Sequence, residues 1–420
     1  MAKNSNLQSA KAGKKDEFYT QYSDVQAEMN AYLEYNSDVF KDKTILLPCD
    51  DPEWSNFTKF FAQHFEDLGL KKLISTSYAN DSKQYLVGSQ VSIWELSSPK
   101  YDESKTNSHG KIFVLERGKT TDKNKDSHID INDLDFDYLE GDGDFRSAEV
   151  KKLRDEADII ITNPPFSLFR EFVAWIMEAN KDFIIVGNQN AINYKEIFPL
   201  LMNNKMWVGK RFAERVNGDH MLFRIPDDYP IDTDGCIKDG KKYIENSMCG
   251  WFTNIDHGRR HETLDTMTME NQIRFSKHKE IKGHKYQKYD NYDAIEIPFT
   301  DAIPKDYTGI MGVPISFMRK YCPEQFVILG ASQRGCHENV PETRRYDEYI
   351  EINHKTGKPT GSSGSKTNGN PNLEQNDGIH NYFTNGERVV QSLYGRIFIR
   401  FSDSWIASHP DDFKNGGAKL

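Results

Sequence analysis

No stretch of this 420-residue chain approaches the roughly 20 consecutive apolar residues that a membrane-spanning helix requires. The opening residues, "MAKNSNLQSAKAGKKDEF", are polar and lysine-bearing with no apolar centre, so they do not read as a secretory leader and the expected location is the cytoplasm. Cysteine is scarce. Cys49, Cys236, Cys249, Cys322 and Cys336 show no C-x-x-C spacing, which leaves no zinc signature and points to reduced thiols. "HGRRH" (257–261) sets two histidines at i, i+4 but lacks the glutamate of the H-E-x-x-H pattern. It is expected to be a basic loop, and no metal site is expected. Positive charge is also in deficit, with 54 Lys and Arg against 64 Asp and Glu, a net charge of −10. That deficit does not exclude nucleic acid, because a groove needs only a local basic stripe.

Two such stripes are present. One is an N-terminal tail, residues 1–15, with Lys3, Lys11, Lys14 and Lys15. The other is 257–288, where Arg259, Arg260, Arg274, Lys277, Lys279, Lys282, Lys285 and Lys288 face only four acids. With 37% apolar and 28% charged residues the remainder reads as a globular protein, long enough for two or three domains.

Hydrophobic spacing gives the organisation. "QAEMNAYLEY" (26–35) is spaced as a helix. Residues 43–78 read as strand, polar turn, amphipathic helix and strand, with Phe57, Phe60, Phe61 and Phe65 on one helix face and Gly69 ending it. Residues 81–137 are polar around two short apolar runs and read as an insertion. "ADIIIT", "SLFREFVAWIMEAN", "DFIIVGN" and "YKEIFPLLMNNK" then alternate strand and helix, which predicts an α/β fold with a doubly wound sheet. "KMWVGKRF" and "MCGWFTNI" read as late strands of that sheet. Beyond about 257 the alternation stops. Residues 354–378 are rich in Gly, Ser, Asn and Pro and read as a flexible loop. The chain therefore divides into a tail (1–15), an α/β domain (16–256, with the 81–137 insertion) and a mixed C-terminal region (257–420).

The chemistry is concentrated in "ADIIITNPPFSLFREF" (157–172). Ligands of open parallel sheets bind at the carboxyl ends of the strands, and Asn163 follows an apolar strand at that end. Two prolines stiffen the backbone and remove N–H donors. What is presented is a set of acceptors, the Asn163 side-chain oxygen and the Asn163 and Pro164 carbonyls, beside the flat apolar face of Phe166. Such a set suits a planar amino group. Two acceptors on its two N–H bonds draw the nitrogen toward tetrahedral geometry and stabilise the positive charge that grows as it attacks an electrophile. An aromatic ring stacks on the base that carries the amine. A base in a duplex reaches such a pocket only when flipped out.

These residues, with "DEFYTQY" (16–22), "CDDPEWSNF" (49–57), "LGLKKLI" (68–74), "GDGDFRS" (141–147), "YKEIF" (194–198), "YDNYDAI" (289–295) and "GIMGVPI" (309–315), resemble the S-adenosylmethionine-dependent, adenine-specific DNA methyltransferases, and among them the EcoRI-type modification methylases. The resemblance covers most of 16–80, 138–210 and 247–330; residues 81–137 and 337–390 depart from it. It implies a Rossmann-like S-adenosylmethionine-dependent methyltransferase sheet and a mixed C-terminal DNA-recognition region. The implied reaction is transfer of a methyl group from S-adenosyl-L-methionine to N6 of a flipped-out adenine in double-stranded DNA. A restriction endonuclease acting on the same site, without forming a stable subunit, is the implied partner.

Carried over residue by residue, Asn163, Pro164, Pro165 and Phe166 resemble the catalytic motif. Phe18, Tyr19 and Thr20 resemble the segment that lines the methionine end of the cofactor. Asp50, Asp51, Pro52 and Ser55 occupy the place of the cofactor loop, without its usual G-x-G. Asp144 and Phe145, with Asp142 second, resemble the residues that bind the cofactor's adenine. The strand "KKLISTSY" does not end in the acidic residue that often holds the cofactor ribose. DNA contact is expected of Arg259, Arg260, Arg274, Lys277, Lys279 and Lys282. Two other readings stand beside this one. "NPPF" motifs also serve methyltransferases of RNA bases and of protein glutamine, which usually carry G-x-G and lack the leading "FYT". A DNA-binding homologue without activity is the other.

Overall fold

The computed structural model describes residues 19–50, 55–79, 96, 98–126, 128–212, 221–225, 235–245, 248–332, 336 and 338–414. The described residues fall into two units. The first runs to Ala191 and resumes over Met206–Gly258; the second comprises Ile192–Lys205 and the residues from Arg259 onward. In chain order the elements up to Thr253 are β1 (Tyr19–Thr20), α1 (Tyr22–Tyr35), β2 (Thr44–Leu47), α2 (Asn56–Gln63), β3 (Lys72–Ser77), β4 (Lys111–Glu116), β5 (Asp135–Tyr138), α3 (Ala148–Glu156), β6 (Ile159–Thr162), α4 (Phe169–Glu178), β7 (Asp182–Asn188), α5 (Phe198–Met202), β8 (Trp207–Phe212), β9 (Leu222–Arg224), β10 (Gly235–Lys238), β11 (Lys241–Glu245) and β12 (Cys249–Thr253).

The first unit is built on an eight-stranded sheet of order β5-β4-β3-β2-β6-β7-β12-β8. Its centre, β3-β2-β6-β7, is parallel throughout. Every residue of β2 and β6 is buried, which is why they read as unbroken apolar runs rather than alternating ones. On one side β4 and β5 continue the sheet antiparallel; on the other, β12 runs antiparallel to β7 and β8 antiparallel to β12. Part of the stretch expected as an insertion, 81–137, therefore supplies two strands of the main sheet. Its signal is β4 itself, which alternates buried and half-buried residues as a strand near an edge does. A second, antiparallel sheet has the order β1-β9-β11-β10.

Local chemistry explains the helices nearest the sheet's carboxyl edge. The Ser55 side chain caps α2, accepting from the N–H groups of Phe57 (3.1 Å) and Thr58 (3.4 Å). Phe57, Phe60 and Phe61 of α2, with Phe65 beyond it, enter the core beside Tyr32, Phe40 and Trp251. Gly69 then reverses the chain at φ +60°. Glu28 of α1 is fully buried but satisfied: it accepts from the N–H groups of Lys210 (3.0 Å) and Arg211 (2.8 Å) and from the Tyr32 hydroxyl (2.9 Å). Burial pushes its carboxyl above the ordinary range against the pull of those bonds. The contact pins α1 to β8, and Gly209 lets it form, since a Cβ there would lie 2.2 Å from the Glu28 carboxyl.

The second unit begins with α5, which packs with a later strand of that unit. It continues through α6 (Met269–Phe275), β13 (Ile295–Glu296), β14 (Met311–Val313), β15 (Phe326–Ala331), β16 (Ile350–Ile352), β17 (Pro359–Ser363), β18 (Asn372–Leu373), β19 (Tyr382–Thr384), β20 (Val389–Ser392) and β21 (Ile397–Phe401). One sheet has the order β13-β14-β21-β15 and another β17-β16-β19-β20-β18. The region 354–378, expected as a flexible loop, is corrected here: it contains β17 and β18, paired with β16 and β20. Polar side chains order it. Lys366 bonds Glu351 (3.0 Å), Thr367 donates to Asn372 Oδ1 (2.7 Å), and the Asn291 side-chain oxygen accepts the Asn372 N–H (3.0 Å).

Candidate active site

The parallel strands β2, β3, β6 and β7 end on the same edge of the first unit; Asp50 and Ser55 follow the end of β2, and Asn163–Phe166 follow the end of β6. Asn163 is the first residue after β6 and is half-buried; Pro164 is buried. Pro165 is extended (φ −54°, ψ 122°), and a single 3-10 turn from Phe166 leads into α4. Phe166 is half-buried and meets Phe223 of β9 edge-on, with ring centroids 6.4 Å apart. Phe223 is in turn the ladder partner of Thr20 on β1. The segment resembling the cofactor's methionine site thus lies one strand from the ring that follows the two prolines. The Asn56 side chain, at the start of α2, also donates to the Thr20 carbonyl (2.7 Å). Tyr19 is half-buried and Thr20 buried. Phe18, Asp51 and Pro52 lie outside the described residues.

Asp50 ties the strand ends together. It is 5% exposed; one carboxyl oxygen accepts from the Ser55 hydroxyl and the other from the Thr162 hydroxyl, both at 2.6 Å. Its N–H donates to the Thr76 carbonyl (2.9 Å), and its own carbonyl accepts from the Ser75 hydroxyl. Asp50 therefore joins the ends of β2, β3 and β6, its backbone bonding β3 and its carboxyl linking Thr162 of β6 to the Ser55 cap of α2, and it holds the residue immediately before Asn163. Thr162 was not singled out by sequence reading, though it is the one polar residue closing an apolar strand.

The Asp/Gly-rich turn lies over the end of β3. Ala79 N–H donates to the Asp142 carbonyl (2.8 Å) and Gly110 N–H to the Gly141 carbonyl (2.8 Å). Gly143 needs its glycine: φ is +83°, and a Cβ would sit 2.3 Å from the Ser77 carbonyl. Asp144 is saturated. One carboxylate oxygen accepts from the Arg146 backbone N–H and Nε (both 2.9 Å), the other from Arg146 Nη2 (2.6 Å) and the Tyr78 hydroxyl (2.7 Å). Four donors fill the roughly four lone-pair sites of a carboxylate. Burial acts to raise this carboxyl, but Arg146 and Tyr78 outweigh it and hold it well below the usual range.

Phe145 is 3% exposed, with its ring held edge-on by Phe172 (5.0 Å) and Trp175 (5.6 Å). Of the two residues expected at the cofactor's adenine, Asp144 has its acceptor sites filled by Arg146 and Tyr78, and Phe145 packs in the core. Asp142 has one carboxyl oxygen accepting the Asp144 N–H (3.1 Å). Sequence reading missed Tyr78, which directly follows β3 and braces Asp144. It also passed over two buried hydroxyls without a hydrogen-bond partner, those of Thr76 and Ser77; the hydroxyl of Thr20, a position it did name, likewise has none.

The basic stripe is dispersed. His257 is buried, its Nε2 near the Val208 carbonyl (3.1 Å) and its ring edge-on to Tyr32, whereas His261 meets Glu324 (2.8 Å). "HGRRH" thus closes one unit and opens the next instead of forming one basic loop. Arg259 is half-buried, and Arg260 donates to Asn204 (3.0 Å). Arg274 pairs with Glu270 and Lys277 with Asp301. Lys279 and Lys282 are exposed and make no ion pair among the described residues.

Residues 6–401 match the model of the family described as adenine-specific methyltransferase EcoRI. The chain is 38% identical over 332 residues to the Type II methyltransferase M.EcoRI of Escherichia coli, covering 78% of this chain and 89% of that one. It is 32% identical over 324 residues to the Type II methyltransferase M.MpnI of Mycoplasma pneumoniae, covering 76% and 83%. A Mycoplasma genitalium relative, the Type II methyltransferase M.MgeORF184P, matches at 32% over 324 residues, covering 76% and 84%. No solved structure matches. The chain belongs to the EcoRI-type family of adenine-specific methyltransferases.

Proposed function

We propose that this protein is a modification methyltransferase that methylates N6 of a flipped-out adenine at a fixed site in double-stranded DNA, with S-adenosylmethionine as methyl donor. The first unit is its catalytic domain, a Rossmann-like sheet, and the second its DNA-recognition region. The carrying observation is the Asn163–Phe166 segment, set at the carboxyl end of a buried parallel strand and anchored one residue earlier by the Thr162–Asp50 bond. The strand order, parallel at the centre with the reversed β12 inserted between β7 and β8, supports the reading of the sheet.

The residues suit the cofactor in kind. Thr20, Thr76 and Ser77 offer buried hydroxyls with no protein partner, the sort of group a bound polar ligand satisfies. Gly110 and Gly143 keep the floor beside the end of β3 free of side chains. In this reading Tyr19 and Thr20 hold the methionine end, Asp50 and Ser55 shape the turn after β2, and Asp142 takes the cofactor's amino group while Asp144 braces the loop. S-adenosylmethionine supplies, when bound, an electrophilic methyl group on sulfur.

The chain's own part in the chemistry is to prepare the amine. The Asn163 side-chain oxygen and the Pro164 carbonyl accept the two N–H bonds of the target adenine's amino group. This localises the nitrogen lone pair and stabilises the charge that develops on it. Phe166 stacks on the base and compensates for its loss of stacking in the duplex. The prolines keep the acceptors in place without reorganisation.

The test is transfer of labelled methyl from S-adenosylmethionine to double-stranded DNA, followed by nucleoside analysis. N6-methyladenine is expected from the wild type. Asn163→Ala is expected to abolish transfer with cofactor and DNA binding largely kept. A variant that retains most of its turnover removes Asn163 from this role.

A further inference from the structure

Helix α6 of the second unit is short and unusually well anchored for an element with so polar an outer face. Its inner face is fixed by Met269 and Gln272, both buried, and Gln272 donates to the Asp301 carbonyl (2.7 Å). Thr268 caps its first turn, and the Met269 N–H donates to Asp306 (2.7 Å). At the far end Gly283 N–H returns to the Ile273 carbonyl (2.8 Å), and His278 stacks on Phe299 at 3.8 Å. The outer face carries Glu270, Asn271, Arg274 and Phe275, all exposed, in two i, i+4 rows. Phe275 is 67% exposed.

Those side chains are the types that read base edges. Asn presents a donor and an acceptor together, matching N6 and N7 of adenine; Arg presents two parallel donors, matching O6 and N7 of guanine; an apolar ring meets the thymine methyl. A helix of about 10–12 Å diameter fits a major groove about 12 Å wide. The turns that follow carry Lys279, Lys282 and Lys285, exposed and without ion pairs among the described residues, in a position to meet phosphate. Arg274 is held by Glu270 at 2.5 Å, but both side chains are more than 60% exposed. Opening that pair on DNA costs little. A rigid element with an exposed readout face and an adjoining cationic loop is the combination a recognition helix requires.

We propose that α6 is the element that reads the methylation site, with Asn271, Arg274 and Phe275 setting base preference and the lysines after it setting affinity. The inference rests on the DNA methyltransferase reading above. The test uses full-length Asn271→Ala, Arg274→Ala, Phe275→Ala and, separately, Lys282→Ala. Each is titrated against the duplex site mapped for the wild type, against its single-base variants and against an unrelated duplex, and the methylated positions are sequenced.

Each helix substitution is expected to lower discrimination at one base pair by about 5- to 150-fold while binding to the unrelated duplex is kept. Lys282→Ala is expected to weaken all duplexes alike and to reduce the salt slope by about one. If the wild type methylates DNA and the three helix variants keep its discrimination, or lose site-bearing and unrelated duplexes equally, α6 is not the reading element. If the wild type neither binds nor methylates DNA, the underlying reading falls with it.

Discussion

Thr162→Val tests whether Asp50 is the joint that holds the catalytic segment. The substitution keeps the shape of the side chain and removes only the hydroxyl that donates 2.6 Å to the Asp50 carboxyl. Both residues are buried, so water does not replace the lost donor. A hydrogen bond to a charged group contributes about 1.5–3 kcal/mol, and that is the expected loss in unfolding free energy. For a unit of this size it corresponds to a fall in melting temperature of roughly 3–12 °C. Turnover is expected to fall more than stability suggests, because Thr162 is the backbone neighbour of Asn163. A displacement of about 1 Å at a positioning residue costs up to about 100-fold in rate.

Ser55→Ala completes the experiment. It removes the other donor to Asp50 and the cap of α2, the cap alone being worth about 1 kcal/mol. If both hydroxyls act on one carboxyl, the double variant departs from additivity by about 0.5–3 kcal/mol. Denaturant unfolding gives the cycle, and calorimetric titration with S-adenosylmethionine gives the binding arm. Thr162→Val within 0.5 kcal/mol of wild type, with unchanged turnover and an additive double variant, would refute the joint.

Phe166→Ala is expected to lose about 1–3 kcal/mol of base stacking, read as weaker binding of a duplex with a mispaired target adenine; equal affinity for that duplex and for one with an abasic target would count against the stacking role. Arg146→Ala removes the main donor that keeps Asp144 below its ordinary pKa. A depressed carboxyl contributes stability that is present above its unfolded value, near 4, and is lost as pH falls through the folded value. The gap in urea stability between wild type and Arg146→Ala is therefore expected to be widest at neutral pH and to narrow below about pH 4, and a gap constant with pH would contradict this.

What was legible in the sequence was local in origin. "TILL" and "IIIT" read as central strands because a strand covered on both faces has no polar side to show. Phe57, Phe60 and Phe61 read as a helix face because three- and four-residue steps return to the same side. Asn163 stood out because an acceptor followed by two prolines at the end of such a strand has little structural use of its own. In each case the informative residues are neighbours in the chain.

What was missed depends on partners far away in sequence. β4 and β5 looked like an insertion because the residues that make β4 part of the sheet, Lys72–Ser77, come more than thirty positions earlier. β17 and β18 looked like loop because their strands are ordered by backbone pairing and amide side chains, neither of which raises apolar content. Nothing in "GDGDFRS" says that Arg146 turns back on Asp144 or that Tyr78, 66 residues earlier, supplies another donor to it. The basic stripe carries the same lesson in charge. Counting 257–288 as a window credits Lys277 with a free charge that Asp301 largely cancels, and Arg274 with one that Glu270 shares. Lys279, Lys282 and Lys285 are exposed and make no ion pair among the described residues. They follow directly on α6, the helix of that stretch with Asn271, Arg274 and Phe275 exposed on its outer face, which a window average cannot distinguish from Arg259 and Arg260, which precede that helix.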